Sequence, residues 1–576
     1  MSEILQNGSA PRLPRQVADA YVDALIALDP ITGTYLGVAA SSTKLPDFSP
    51  AGRAAVAELA RDTLARLEAA EALPGAEADA ERRCARLLRE RLTAELAVHE
   101  ADEHLCAVSN IHGPAHEVRE VFTLTPSDTE EDWAAIAERL RAVPAAFAGY
   151  RESLGLGLER GLYGGPRATT TMIGQLGAWA GETGGTGEGG EGGEGGAFFQ
   201  EFVSAGPDAL RAELDAAAAG ATAAVVELRD WLSAVYAPAV QDKPDTVGRE
   251  RYARWSRYFN GTDLDLDEAY AYGWAEYHRL LAEMKTEAAK ILPGVGPWQA
   301  LKHLDEHGTH IEGVDEVQAW LQGLMDEAIE NLDGTHFELA ERVRKVESRI
   351  APPGGPAAPY YSSPSEDFSR PGRTWLPTMG QTRFPVYDLV STWYHEGVPG
   401  HHLQLAQWTH VADQLSRYQA TVGWVSANCE GWALYAERLM DELGYLKDAE
   451  QRLGYLDCQM MRAARVIVDI GMHVGLRIPD DSPFHPGEDW TVDLAQEFFG
   501  LHSGRPADFI ESELTRYLSM PGQAIGYKLG ERAWLLGREN ARAAHGASFD
   551  LKAWHMAALS QGSLGLDDLV DELSKL

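Results

Sequence analysis

His395-Glu396-Gly397-Val398-Pro399-Gly400-His401-His402 and, downstream, Glu430-Gly431-Trp432-Ala433-Leu434-Tyr435-Ala436-Glu437 hold the residues of this chain best suited to do chemistry. Two imidazoles and a carboxylate are the donor set of a catalytic zinc site, which takes three protein ligands and keeps a fourth position for water. The usual helical form is His-Glu-x-x-His, with both histidines on one face and the intervening Glu as base. Here Pro399 stands where the second His belongs, so the spacing is stretched. At about 100° per residue, His401 falls roughly 120° round from His395 on a regular helix. His402 returns to the same face but lies about 10.5 Å further along the axis, long for two rings meeting at one ion. Pro399 offers no N–H and crowds the preceding turn, while Gly397 and Gly400 tolerate unusual dihedrals. A bulge absorbing two residues would return His401 to the four-residue position. His395 and His401 are therefore the expected ligands, with His402 the alternative to His401.

Glu430 follows His401 by 29 residues (430 − 401), enough for one helix, a turn and a return on an antiparallel helix. It completes a two-His, one-Glu set for one zinc ion per chain. Glu437 recurs on nearly the same helical face and is a candidate partner for a ligating His, with Asn428 or Ser426 as alternatives. The set points to a metal-dependent hydrolase, and among hydrolases to a peptidase. A single His-Glu pair carries no such weight: His116-Glu117 reads as ordinary surface or packing, as Trp393, Tyr394 and Trp408 read as packing.

The elements that position these residues are expected to be helices. Ala, Leu, Glu and Arg dominate, and stretches such as Arg53 to Glu71 and Ala78 to Val98 carry helical periodicity. The tract Gly181 to Gly196, glycine with repeated Glu, cannot bury apolar area and predicts a flexible loop. It lacks the Lys-Ser/Thr and the strand–turn–helix frame of a phosphate cradle. A Pro-, Gly- and Ser-rich break from Ala351 to Pro385 rules out helix there and leaves room for short extended pieces. Arg373 to Thr378 is the expected substrate strand, an edge that would hold a peptide by main-chain pairing with Arg373 and Trp375 in contact. The expected architecture is mainly α, with a deep cleft and a small sheet or hairpin beside the metal helix. Residues 1–350 would form one cleft wall and 351–576 the catalytic one, in a single integrated unit.

Across 576 residues, 45% hydrophobic, there is material for a large core, so global disorder is excluded. A formal charge of −37 excludes nucleic acid as partner, because phosphate binding needs clustered Lys and Arg; it reads as a solvated acidic surface. Four scattered cysteines, Cys84, Cys106, Cys429 and Cys458, make no disulfide framework and no C-x-x-C pair. No basic segment followed by an apolar run opens the chain, and no apolar stretch of about 18 residues occurs. These features predict no membrane span and a cytoplasmic location.

The string Tyr394-His-Glu-Gly-Val-Pro-Gly-His-His-Leu-Gln404, with Glu430 to Glu437, Arg465 to His473, Pro521-Gly-Gln-Ala-Ile-Gly-Tyr-Lys-Leu-Gly530 and the C-terminal His555, resembles the family called domain of unknown function 885. The resemblance spans most of the chain and is strongest from about Arg370 onward. That family looks like a distant relative of helical zincin-like peptidases, the carboxypeptidase Taq and thimet oligopeptidase groups. In the carboxypeptidase Taq pattern His-Glu-Gly is followed directly by Gly-His, so Val398-Pro399 resembles a two-residue insertion and favours His401 over His402. The resemblance implies Glu396 as the base that activates the attacking water and carries its proton to the leaving amine. It implies Tyr527 as donor to the tetrahedral intermediate, and His473 and Arg465 as substrate-binding groups, the guanidinium suiting a terminal carboxylate. Short peptides are the expected substrates, in carboxypeptidase, dipeptidase or oligopeptidase mode. The rival readings are an amidase on non-peptide substrates and a catalytically silent peptide-binding relative.

Overall fold

The computed structural model describes residues 12–182, 196–351 and 358–576. Most of the Gly-rich tract expected to form a flexible loop lies outside those residues. The chain divides into two compact units, Met1–Asp245 with Ser416–Val422, and Thr246–Leu415 with Gly423–Leu576. The passage between them falls at Asp245–Thr246 rather than at the Pro- and Gly-rich break near residue 350.

The first unit holds helices and no strand among its described residues. The stretches with helical periodicity are the helices Pro50–Glu71 and Asp79–Glu100. Helix α1 (Glu130–Glu159) opens on a capping box, in which Thr129 and Asp132 satisfy each other's backbone N–H groups. Its Ile136, Leu140, Val143 and Phe147 pack with Leu214, Ala218 and Val225 of α2 (Arg211–Trp231) in one apolar core. Spacings of three, four and seven residues put each set on one helical face.

The second unit carries the candidate site. It comprises α3 (Leu266–Ile291), α4 (Val314–Leu332), α5 (Val386–Glu396), α6 (His401–His410), α7 (Ser426–Glu442), α8 (Ala449–Val474), α9 (Ala507–Ser519), α10 (Gly526–His545) and further helices. Every residue of α8 from Leu453 to His473 is buried. A helix covered all round is normally apolar all round, yet α8 also carries Asp457, Arg462, Arg465 and Asp469, so its polar groups must find partners inside the unit.

The strands are β1 (His310–Glu312), β2 (Val346–Ile350), β3 (Tyr360–Ser362), β4 (Gly372–Leu376) and β5 (Arg383–Pro385). β1 pairs antiparallel with β5, which leads directly into α5. The other sheet has the order β2-β4-β3, with β2 parallel and β3 antiparallel to β4. The chain is thus mainly α with small sheets before the His-Glu helix. The expected substrate edge is corrected by this order: β4 is the middle strand, and both its edges are already paired, which leaves no row of free main-chain groups for a peptide. Arg373 Nε instead donates to Glu347 at 3.0 Å, and Trp375 Nε1 donates to Ser362 Oγ at 2.8 Å while its ring stacks on Tyr360. Both residues hold the sheet together.

Candidate metal centre

Helix α5 ends at Glu396 for a local reason. The Gly397 N–H still reaches the Trp393 carbonyl at 2.9 Å, but Pro399 has no N–H, and the Gly400 N–H turns back to the Tyr394 carbonyl at 3.0 Å. A Cβ on Gly400 would collide with the His395 carbonyl, so only glycine permits this approach. The bulged single helix expected from the sequence is replaced by two helices separated by Gly397 to Gly400, with His401 the first residue of α6. Trp432 of α7, fully buried, donates its Nε1–H to the carbonyls of Pro399 and Gly400 at 3.0 and 3.1 Å. The helix that bears Glu430 therefore also holds the break that aims His401.

The result brings His395, His401 and Glu430 together. Glu430 Oε2 lies 3.4 Å from His395 Nε2 and 3.5 Å from His401 Nε2. Those separations exceed the range of about 2.7–3.2 Å for N–H···O hydrogen bonds. They match the edge of about 3.3–3.5 Å between ligand atoms of a tetrahedral zinc with bonds near 2.0–2.2 Å. Glu430 Oε2 is shut off from solvent and has no hydrogen-bond partner, an orphan that a cation would satisfy. Glu396 also places a carboxylate oxygen within 4.8 Å of a nitrogen of each histidine. The donor set fits zinc: His395, His401 and Glu430 could hold the ion, with Glu396 beside them. His401 and Glu430 keep 13% and 20% of their side-chain surface exposed against 5% for His395, so the group is reachable from one side.

Second contacts orient the ligands. His395 Nδ1 is 2.8 Å from Glu437 Oε1, and Glu437 Oε2 accepts from Ser391 Oγ at 2.6 Å. Nδ1–H is thereby fixed on a buried carboxylate and Nε2 is left to face Glu430, the carboxylate–histidine arrangement common behind metal ligands. His402 is turned elsewhere: Nδ1 meets Tyr361 Oη at 3.0 Å and Nε2 meets the Val343 carbonyl at 2.7 Å. Of the two candidates for the second histidine, the geometry brings His401 to the group.

Electrostatics follow the same layout. Burial presses His395 down, but the carboxylates of Glu430, Glu437 and Glu396 outweigh it and raise the imidazole to about 9. Burial pushes Glu430 up, yet His395 and His401 more than reverse that and hold it below the ordinary carboxylate range. Burial dominates at Glu396 and raises it, which suits a carboxyl that must both accept and release a proton. Tyr527 stacks on His395 with ring centroids 6.5 Å apart and planes 18° from parallel. Burial and Glu430 push its phenol to about 12, so it stays a donor at neutral pH.

The remaining expected residues are placed differently. Arg465 donates from Nε to Tyr517 Oη at 2.8 Å and from Nη2 to Glu513 at 2.7 Å, with its guanidinium 4.9 Å from the Tyr527 ring centroid. His473 is not brought to the group: its Nδ1 accepts from the Val247 N–H at 3.2 Å and its Nε2 faces the Tyr517 carbonyl at 3.1 Å. Both nitrogens of that buried ring are spent on backbone, which removes it as a substrate-binding side chain. Arg462 was not among the residues read from the sequence, although its guanidinium lies 5.9 Å from the Tyr527 ring. The signal was its place one helical turn before Arg465.

No helix among the described residues is long and apolar enough to cross a membrane. No curated protein matches the chain. Among solved structures, a putative lipoprotein from Colwellia psychrerythraea is similar over 97% of this chain and 98% of its own, with 22% identity and a TM-score of 0.77. A putative lipoprotein of unknown function from Shewanella oneidensis is similar over 98% of this chain and 100% of its own, with 18% identity and a TM-score of 0.73. At that identity the likeness establishes the fold. The description of both neighbours as lipoproteins is at odds with the cytoplasmic location expected above, which is corrected accordingly. The family model described as bacterial protein of unknown function (DUF885) matches residues 30–573, nearly the whole length, and the chain belongs to that family.

Proposed function

We propose that this chain is a zinc-dependent hydrolase that cleaves peptide bonds of short peptides. The observation that carries the reading is the orphaned, buried Glu430 Oε2, set a ligand–ligand edge away from two histidine Nε2 atoms. His395, His401 and Glu430 would hold the ion, and His395 would be locked in the right tautomer by Glu437. Zinc in that position supplies Lewis acidity, lowering the pKa of water and drawing charge from the carbonyl to be attacked. Glu396 takes a proton from the attacking water at its carboxylate and delivers it to the leaving amine. Tyr527, kept as a phenol by its surroundings, donates to the oxygen on which charge develops. The resemblance to helical zincin-like peptidases, which share the order His-Glu, His, then Glu on a following helix, supports the same reading.

Zinc content of wild type and His401→Ala is the first test, followed by turnover of a peptide library with Glu396→Gln. Near one zinc per wild-type chain, lost in His401→Ala, is expected. Glu396→Gln should keep the metal and lose turnover by about 10²- to 10⁴-fold, the usual weight of a general base. Full activity in that variant would remove the mechanism. Turnover of acylated amino acids but of no peptide would favour the amidase. A wild type that takes up no zinc would favour the silent peptide-binding relative.

A further inference from the structure

Two strings of the sequence, Arg465 to His473 and Pro521 to Gly530, meet at one glycine, Gly522. Its N–H donates to Asp469 Oδ2 at 2.9 Å, and its carbonyl accepts from Asn260 Nδ2 at 2.9 Å. Both main-chain groups of this turn residue are thus held by fully buried side chains. Gly522 sits at φ +82°, and a Cβ there would strike the Ser256 backbone, so only glycine fits the contact.

The helix Gly248–Asn260 supplies the platform. Tyr252, Ser256 and Asn260 recur every four residues and share one helical face. Tyr252 Oη donates to the same Asp469 Oδ2 at 2.7 Å, Ser256 abuts Gly522, and Asn260 grips its carbonyl. His473, one turn past Asp469, packs its ring on that of Tyr252, with centroids 5.4 Å apart. Its Nε2 stays 3.7 Å from Asp469 Oδ1, which takes no hydrogen bond. A buried acid costs stability unless its hydrogen bonds offset the lost hydration, and those of Asp469 go to Tyr252 and Gly522.

From Gly522 the hold passes to Tyr527. Asn260 Oδ1 lies against Gly526, where a Cβ would come within 3.0 Å of it. Gly526 opens α10, and Tyr527 follows it directly. Gln523, next to Gly522, accepts from Arg516 Nη1 at Oε1 and donates from Nε2 to Ser426 Oγ at 3.3 Å. Ser426 is the first residue of α7, one turn before Glu430. The turn that leads into α10 is therefore fixed on both sides, just ahead of the ring that stacks on His395.

We propose that Asp469, together with Asn260, is a positioning residue for Tyr527: by clamping Gly522 it sets where the Tyr527 phenol stands relative to His395. The clamp is independent of any activity, while its consequence for turnover rests on the peptidase reading.

A 3-fluorotyrosine at position 527 of the full chain tests the clamp without turnover, through a fluorine resonance that the neighbours of the ring set. Asp469→Ala should shift that resonance towards its position in the unfolded chain. Asp469→Asn, which keeps an oxygen acceptor for Gly522 and Tyr252, should restore it. Tyr252→Phe removes one bond of the clamp and should move the resonance the same way, which covers the case that Asp469→Ala does not fold. A merely structural Asp469 would lower the denaturation midpoint and leave the resonance of the folded protein in place. That result, in whichever variant folds, would overturn the proposal. In the zinc-loaded protein acting on peptides, Asp469→Ala should lower kcat by about 10²-fold, the weight of misplacing a group by about 1 Å, with KM little changed. Tyr527→Phe should lose about 10²- to 10³-fold, and the double variant no more than the larger single loss, since both remove one donor. Losses that multiply in the double variant would overturn the positioning role. No peptide turnover in wild type, with a resonance that responds to Asp469, would remove the peptidase reading and leave the clamp standing. Peptide turnover with an unmoved resonance would do the reverse.

Discussion

Gly431 and Gly530 meet backbone to backbone: a Cβ on Gly431 would collide with Gly530, and one on Gly530 with the Ala427 carbonyl. The contact lets α7 and α10 approach as closely as only glycine allows. Each glycine adjoins a site residue, Glu430 directly before one and Tyr527 one turn before the other, so the helix spacing sets how Glu430 and Tyr527 face His395. Gly431→Ala is expected to destabilise the second unit by about 1–3 kcal/mol through overpacking and to weaken zinc binding at the same time. Denaturant unfolding with a zinc titration checks both; wild-type zinc affinity in a destabilised variant would mean that the spacing does not govern Glu430.

Glu437 reaches the candidate metal centre through His395, so its role there would be that of a positioning residue. Glu437→Gln removes the charge that orients the His395 ring but keeps its size and a carbonyl acceptor. Zinc affinity should fall by about 10- to 100-fold, the usual effect of losing such a partner, with little change in the fold. A chelator-competition titration would read the shift. No loss of affinity would show that packing holds His395 without the Glu437 charge.

His401 and His402 are neighbours with different surroundings, one facing Glu430 and the other Tyr361 and the Val343 carbonyl, and one pair of variants separates them. His401→Ala should abolish stoichiometric zinc while the protein stays folded, because His401 Nδ1 makes no hydrogen bond that the fold depends on. His402→Leu should keep the zinc but leave Tyr361 Oη and the Val343 carbonyl without their partner. The expected cost is about 1–3 kcal/mol for each buried group left unpaired, measured as a lower denaturation midpoint. Zinc lost from His402→Leu and kept in His401→Ala would reverse the assignment.

The sequence made the members of the His–Glu group and the order of the motifs legible because both are local: the His-Glu string, the Glu-Gly-Trp string and the Tyr-Lys-Leu-Gly string each sit at a helix end or a helix contact. It made the break at Pro399 legible as an irregularity, since proline's missing N–H acts within one turn, but not as two separate helices. That outcome depends on Trp432, 33 residues on (432 − 399), capping the freed carbonyls. The substrate strand was misplaced for a related reason. Whether Gly372–Leu376 is an edge depends on β2 and β3 arriving from either side, and strand order leaves no mark within the strand itself. His473 was read as functional from the family resemblance, while the backbone groups of Val247 and Tyr517 that absorb it are invisible until the chain is folded.

That absorbed histidine makes the stability of the second unit depend on pH. Burial lowers His473 to about 4, only partly opposed by the hydrogen bond to the Tyr517 carbonyl, and burial does the same to His502, which faces the Phe498 carbonyl. In the unfolded chain both titrate near their ordinary value of about 6.5. Above that pH neither state carries the proton, and the stability is fully present. As the pH falls from about 6.5 towards 4 the unfolded chain takes up protons that the folded one refuses, so stability is lost across that window and levels off below it. Each ring should contribute a loss on the order of 3 kcal/mol, at about 1.36 kcal/mol per pKa unit. Urea unfolding at several pH values between 7 and 4 would measure the slope, and His473→Gln should lower it by close to one proton. An identical slope in wild type and variant would mean that His473 is already protonated in the folded protein, which its acceptance of the Val247 N–H forbids.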